Sequence, residues 1–205
     1  MGYKIEIITK DKIKTSNWSG GTTNEIYIYP KDSNYKDLNF KWRISSATVE
    51  LEHSTFTNLP KVYRYITTLE GSMDLCHNKG PLIHLEPFEV HGFSGDVNTE
   101  SFGTVTDFNL MIGPGCYGVM KTICLGDGLP LKLSINELSY NCEVYSNIFY
   151  SPHEILTVKI DNKVITLDVG EALIVDEFTK NTIPKLELSS QNKCNLIHVK
   201  VGILK

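Results

Sequence analysis

Of the 20 basic residues in this chain, only Arg43 and Arg64 are arginines. Arginine presents a planar fork of N–H donors that grips a carboxylate or phosphate through two parallel hydrogen bonds, which a lysine ammonium cannot do. Side chains alternate across a strand. In 40–45, Phe40, Trp42 and Ile44 therefore share one face, and Lys41, Arg43 and Ser45 the other. Arg64 shares a face with Val62 and Ile66, which predicts that it is at least half buried. Buried charge is costly unless it is paired and hydrogen-bonded. Asp107 and Asn109 share one strand face, as do Thr23, Glu25 and Tyr27, and these are the candidate partners. Two readings stay open: internal arginine–carboxylate pairs that brace a barrel, or a concave pocket whose guanidinium groups meet a ligand's carboxylate or phosphate.

Other residues with chemical potential carry weaker signals. His77, His84 and His91 are spaced seven apart, which invites a metal reading. Seven is odd, so along an unbroken strand they alternate faces, and only bends at 79–81 and Pro87 would bring them together. No HxH pair exists, and Glu86 and Glu89 lack a ligand spacing, so scattered histidines are the preferred reading and no metal is expected. His53, His153 and His198 carry no signal. There is no GxSxG nucleophile motif. Ser19-Gly20-Gly21-Thr22-Thr23 precedes a strand, not a helix, so it is not expected to cradle a phosphate. The 5 cysteines are odd in number and widely spaced, which predicts free thiols in a reducing cytoplasm.

The elements that must position these residues are strands. The chain has 205 residues, rich in β-branched and aromatic types, and alanine occurs only at Ala47 and Ala172. A chain that needed long helices would keep its best helix former, so the fold class is all-β. Strand-like runs cover 3–9, 25–29, 40–45, 48–52, 63–69, 72–77, 82–85 and 105–111, then 143–145, 155–160, 164–167, 172–175 and 196–201. Many short strands punctuated by turns imply a sandwich or barrel. In a weak repeat, 78–85 followed by Glu89 resembles 161–167 followed by Glu171, and a shift of 82 brings Ile83 onto Ile165, Leu85 onto Leu167 and Glu89 onto Glu171. It predicts two similar barrel halves, 1–124 with the pocket and 125–205 in a structural role. A net charge of -4 with scattered lysines argues against a nucleic-acid partner. No apolar run is long enough to span a bilayer, and the first residues lack a signal-peptide core.

Ordered motifs then resemble the HutD/Ves family. They are Trp18-Ser-Gly-Gly-Thr-Thr-Asn-Glu25-Ile26, Trp42-Arg-Ile-Ser-Ser-Ala47 with Val49 and Glu50, and Phe56, Leu59-Pro60 and Arg64. Leu69-Glu-Gly71, Phe93-Ser-Gly-Asp96 and Gly103-Thr-Val-Thr-Asp107-Phe-Asn-Leu-Met111 continue the series. The resemblance covers 15–115 and fades beyond 125. It implies a cupin (RmlC-like) double-stranded β-helix with two barrels in one chain, a bicupin. It also implies a bacterial role in histidine utilisation, in which a metabolite such as formylglutamate or urocanate is bound and no enzymatic activity is firmly assigned. The HxH of metal-binding cupins is missing before Leu69-Glu-Gly71, so the expected protein needs no cofactor. On this reading Arg43 and Arg64 clamp a small carboxylate, Ser45 and Thr23 add neutral hydrogen bonds, Glu25, Asp107 and Asn109 are orienting acceptors, and Trp18 is a wall or lid. The alternative is an enzyme, either a metal-free isomerase or hydrolase with Glu25 or Asp107 as base, or a metal oxygenase. A homodimer is compatible with either.

Overall fold

The computed structural model describes residues 3–133, 142–177 and 184–205. Among these there is no α-helix, and so none that could cross a membrane; Lys10–Lys12 form one 3-10 turn. The strands are β1 (Tyr3–Ile8), β2 (Lys14–Trp18), β3 (Gly21–Tyr29), β4 (Trp42–Val49), β5 (His53–Thr55), β6 (Tyr63–Glu70), β7 (Met73–His77), β8 (Leu82–Leu85), β9 (His91–Ser94) and β10 (Thr99–Phe102). They continue with β11 (Val105–Ile112), β12 (Cys116–Leu125), β13 (Leu131–Leu133), β14 (Cys142–Tyr150), β15 (Leu156–Ile160), β16 (Lys163–Leu167), β17 (Ala172–Glu177), β18 (Leu186–Ser190) and β19 (Cys194–Leu204).

Two compact units result. Ile13–Pro114 form one; the residues up to Lys12 join Gly115–Lys205 in the other. The boundary therefore differs from the expected division at 124/125. Its cause is pairing: β1 runs antiparallel along β17, and β12 pairs with β19 over its whole length, from Cys116 to Leu125.

In the 13–114 unit, one sheet has the order β2-β3-β4-β11-β6-β9 and the other β5-β10-β7-β8. Val49, Ile66, Phe93 and Val105 from the first sheet pack with Met73, Leu75 and Leu85 from the second, and this apolar cluster holds the two together. β4 lies between β3 and β11, and β11 between β4 and β6, so the central strands carry the candidate residues side by side. The other unit has sheets in the order β1-β17-β14-β19-β12 and β13-β18-β15-β16. Its core joins Phe149, Leu173 and Val175 to Leu156, Val158, Leu186 and Leu188.

Strand parity holds in the centre of the sheet and fails at two places, Phe40 and Tyr27. The runs expected at 40–45 and 48–52 meet in one strand, β4, which spans Trp42–Val49, because Ser45, Ser46 and Ala47 are paired on both sides. Phe40 lies ahead of β4 and packs with Ile28, Leu59, Val62 and Met111, away from Trp42. Tyr27 does not share the face of Thr23 and Glu25. A register shift between Glu25 and Tyr27 leaves Ile26 as an extra residue, and a one-residue slip turns every later side chain over. Tyr27 consequently pairs with Ile44 and stacks on Trp42 at 5.1 Å, and Tyr29 stacks on the same indole at 5.9 Å.

The glycine pair of the 19–23 stretch closes the β2–β3 hairpin, in which Trp18 faces Gly21. Gly21 has φ +146, and a Cβ there would strike the Thr48 backbone carbonyl. A backbone atom of a central strand cannot move aside as a side chain can. Gly21→Ala is expected to destabilise the protein by more than about 1 kcal/mol and to lower its Tm by about 2–4 °C for each kcal/mol, as read by thermal denaturation.

Candidate functional site

Arg43, Ser45 and Ala47 of β4 point to the same side as Asp107, Asn109 and Met111 of β11, and Arg64 of β6 joins them opposite Met111. They line a cavity of about 340 Å³ closed at the edges by Thr23, Trp18 and Tyr35. Every residue singled out for the pocket reaches this cavity except Glu25, which lies behind Arg43 as a buttress. Trp18 is 42% exposed, consistent with a wall at the rim.

The two arginines are buried to the same degree and held in different ways. Arg43 donates from Nε to Glu25 Oε2 at 2.7 Å and from Nη1 to Ser45 Oγ at 3.0 Å, with its guanidinium 4.8 Å over the Tyr35 ring. Arg64 has no hydrogen bond and no carboxylate within ion-pair distance among the described residues. Its guanidinium instead lies 4.6 Å from the Phe56 ring and 5.3 Å from that of Phe93, a cation–π environment that offers attraction without occupying the donors. Burial pulls the Arg64 pKa down to about 10; Tyr35 and Asp107 oppose the shift and Arg43 adds to it. Arg64 remains charged at neutral pH.

The acceptors opposite are also incomplete. Asp107 Oδ1, Asn109 Oδ1 and Ser54 Oγ are buried without a partner among the described residues, as is Arg64 Nε. Burial pushes the Asp107 carboxyl up to about 7, against the pull of Arg64, the Ala47 backbone N–H and Arg43. Several polar atoms that face one cavity and satisfy nobody nearby can engage a molecule carrying both an anionic group and a hydrogen-bond donor.

The histidine trio separates. His77 and His91 converge, with Nε2 atoms 2.9 Å apart, while His84 stands on the surface between Asp74 at 2.7 Å and Glu86 at 3.2 Å. Among the described residues no group of three or more His, Cys, Asp or Glu side chains is placed to enclose a metal ion. In the other unit, His198 is buried against Phe149 at 4.6 Å and bonded to Asn147 Oδ1 at 3.1 Å; burial, with Lys121 and Lys200, drives its pKa down to about 3. It is a neutral packed histidine, invisible to motif reasoning. Phe56, Phe93 and Tyr35 were also missed as guanidinium partners. Phe56 and Phe93 stood inside the family motifs, but Tyr35 lies outside any strand and had no periodic signal.

The raised Asp107 pKa has a consequence for stability. The folded chain keeps a proton up to about pH 7 that an unfolded Asp releases near 3.8. Between those values the native state binds more protons, so this group makes stability fall as pH rises through the window, and the loss is complete above about 7. His198, with a depressed pKa, acts in the opposite sense, losing stability as pH falls from about 6.5 towards 3. Comparison with Asp107→Asn isolates the acid: the variant is expected to gain stability relative to wild type as pH rises from 4 to 7, measured by denaturant midpoints across pH. A constant difference across that window would refute the assignment.

No curated protein matches the chain. Among solved structures it is similar to the conserved protein of unknown function PA5104 from Pseudomonas aeruginosa PAO1 (TM-score 0.80, 18% identity, 98% of this chain and 100% of that one). It is also similar to HutD from Pseudomonas fluorescens SBW25 (TM-score 0.67, 21% identity, 96% and 98% covered). A Lactobacillus farciminis oxalate decarboxylase in a formate complex superposes at TM-score 0.65 and 6% identity, over 97% and 86%. Such likenesses show an all-β, cupin-type fold. The HutD family model matches residues 10–195, and the chain belongs to the HutD family.

Proposed function

We propose that the protein binds a small carboxylate metabolite in the cavity of its 13–114 unit and has a regulatory role, without turnover. The observation that carries this is Arg64: a buried guanidinium, lining a cavity, with its donors unused among the described residues. If the arginines only braced the barrel, both would be internally paired, and only Arg43 is. In the proposed complex Arg64 takes the carboxylate, Arg43 is held ready by Glu25 and Ser45, Thr23 adds a neutral hydrogen bond, and Asp107 and Asn109 accept from a ligand N–H. N-formylglutamate and urocanate have the required pairing of an acid with an N–H group, which fits a place in histidine utilisation. The parallel strand orders β4-β11-β6-β9 and β12-β19-β14-β17 support two copies of one barrel in the chain, a bicupin. The 5 free cysteines favour a cytoplasmic protein, and a homodimer is compatible with the site lying within one unit.

A second reading has one observation in its favour. Asp107 has a pKa near 7 inside the cavity, suited to moving a proton at neutral pH, as in a metal-free isomerase or hydrolase. Incubation with the same acids, followed by product analysis, separates the two: conversion that disappears in Asp107→Asn would replace the binding reading.

Calorimetry with N-formyl-L-glutamate, urocanate and formate tests the proposal. At least one is expected to bind, with affinity lowered at least about tenfold in Arg64→Lys, because the lysine ammonium cannot replace a charge-assisted bidentate pair. Equal affinity in that variant would remove the clamp. Of the two tryptophans, Trp42 is buried on the far face of β4, so a ligand entering the cavity should change the fluorescence of Trp18 alone. The change is expected to vanish in Trp18→Phe; its persistence would place the ligand elsewhere.

A further inference from the structure

We propose that Tyr35 is a ligand-contacting residue of the cavity, its phenol donating a hydrogen bond to the same carboxylate that Arg64 clamps. This rests on the cavity-binding reading above and adds to it an uncharged recognition element. Tyr35 belongs to no strand. It stands in the 30–41 connection between β3 and β4 and reaches the cavity from there.

That connection holds its own shape. Asn34 Oδ1 accepts from the Asp37 backbone N–H at 2.9 Å, and Asn39 Oδ1 accepts from the Asn34 backbone N–H at 2.9 Å. Asparagine side chains close turns in this way by standing in for backbone carbonyls. The Leu38 N–H donates to the Tyr35 carbonyl at 3.4 Å, and the Lys41 N–H donates to the Tyr29 carbonyl at 2.6 Å, which ties the two ends together. The Tyr35 ring packs against the apolar cluster that contains Phe40, Val62 and Met111. A ring locked by packing gives its hydroxyl a defined position.

The surroundings of the ring decide what the hydroxyl can do. The Arg43 guanidinium lies 4.8 Å over the ring. Among the groups that support the charge on Arg64, Tyr35 acts most strongly, ahead of Asp107, so its phenol end reaches towards the second guanidinium. The residue is half-buried, and among the described residues its hydroxyl makes no hydrogen bond. Guanidinium groups offer donors only. The phenol oxygen therefore turns its lone pairs towards the arginines and keeps its proton for an acceptor in the cavity. An anionic oxygen brought in beside Arg64 is such an acceptor, and an O–H···O⁻ bond belongs to the stronger, charge-assisted class. A phenol also adds no third positive charge to two arginines that already repel each other.

Tyr35→Phe tests this, because it removes the hydroxyl and keeps the ring over Arg43. With no protein partner to lose, the variant should keep the wild-type Tm; a lowered Tm would make the hydroxyl structural and overturn the assignment. Calorimetry with N-formyl-L-glutamate, urocanate and formate should show affinity about tenfold weaker than wild type for each acid that binds. Tyr63→Phe, outside the cavity, should match wild type. Binding of either non-aromatic acid should also perturb tyrosine ultraviolet absorbance in wild type, and this signal should vanish in Tyr35→Phe. Equal affinity in Tyr35→Phe, or a tyrosine signal that persists there, would overturn the Tyr35 contact and leave the Arg64 clamp standing. Failure of all three acids to bind wild type would instead overturn the cavity reading, and this contact with it.

Discussion

Two guanidinium groups buried on one face of one sheet are the constraint around which the 13–114 unit is arranged. Removing a single cation from water is costly, and two like charges on the strands that flank β11 repel each other as well. Arg43 meets that demand conventionally, through Glu25, Ser45 and the Tyr35 ring. The β2–β3 hairpin, closed by Gly21, and the extra residue at Ile26 serve this pairing, because they keep Glu25 opposite Ser45 while turning Tyr27 away to Trp42. Arg64 meets it incompletely, with phenyl faces in place of oxygen atoms.

Asp107 balances this asymmetry. It is the nearby acid that opposes the loss of charge at Arg64, yet its own burial drives it towards the neutral form. The sheet thus holds a cation with unused donors next to a carboxyl group that titrates near neutrality. Filling that gap with an anionic ligand would complete the hydrogen bonding that the fold leaves open. The second unit has buried polar groups of a different kind, with His198 neutral and bonded to Asn147.

Much of this was legible in the residues. Alternation predicted that Arg43 and Ser45 share a face, that Asp107 and Asn109 share another strand's face, and that Arg64 is buried among Val62 and Ile66. Those inferences hold because the middle of a sheet has strict period two. They fail where the period is interrupted: Phe40 precedes its strand, and Ile26 is an inserted residue that no local pattern marks as such. The histidines show the same limit. Their spacing argued against convergence along one strand, and His77 and His91 meet only because β7 and β9 belong to different sheets.

The sequence by itself determined the all-β class, through its β-branched and aromatic residues and near-absence of alanine, and it marked the two arginines as exceptional among lysines. Both are local properties, set by backbone propensity and side-chain chemistry. Which arginine is paired and which is left with free donors was decided by tertiary structure alone. The answer depends on whether strands β3, β6 and β11 bring a carboxylate within hydrogen-bond reach of each guanidinium, and that reach is a matter of register between segments distant in the chain. Glu25 reaches Arg43 because its register places it beside Ser45; Asp107 sits opposite Thr68, further along β6 than Arg64, and does not close the pair.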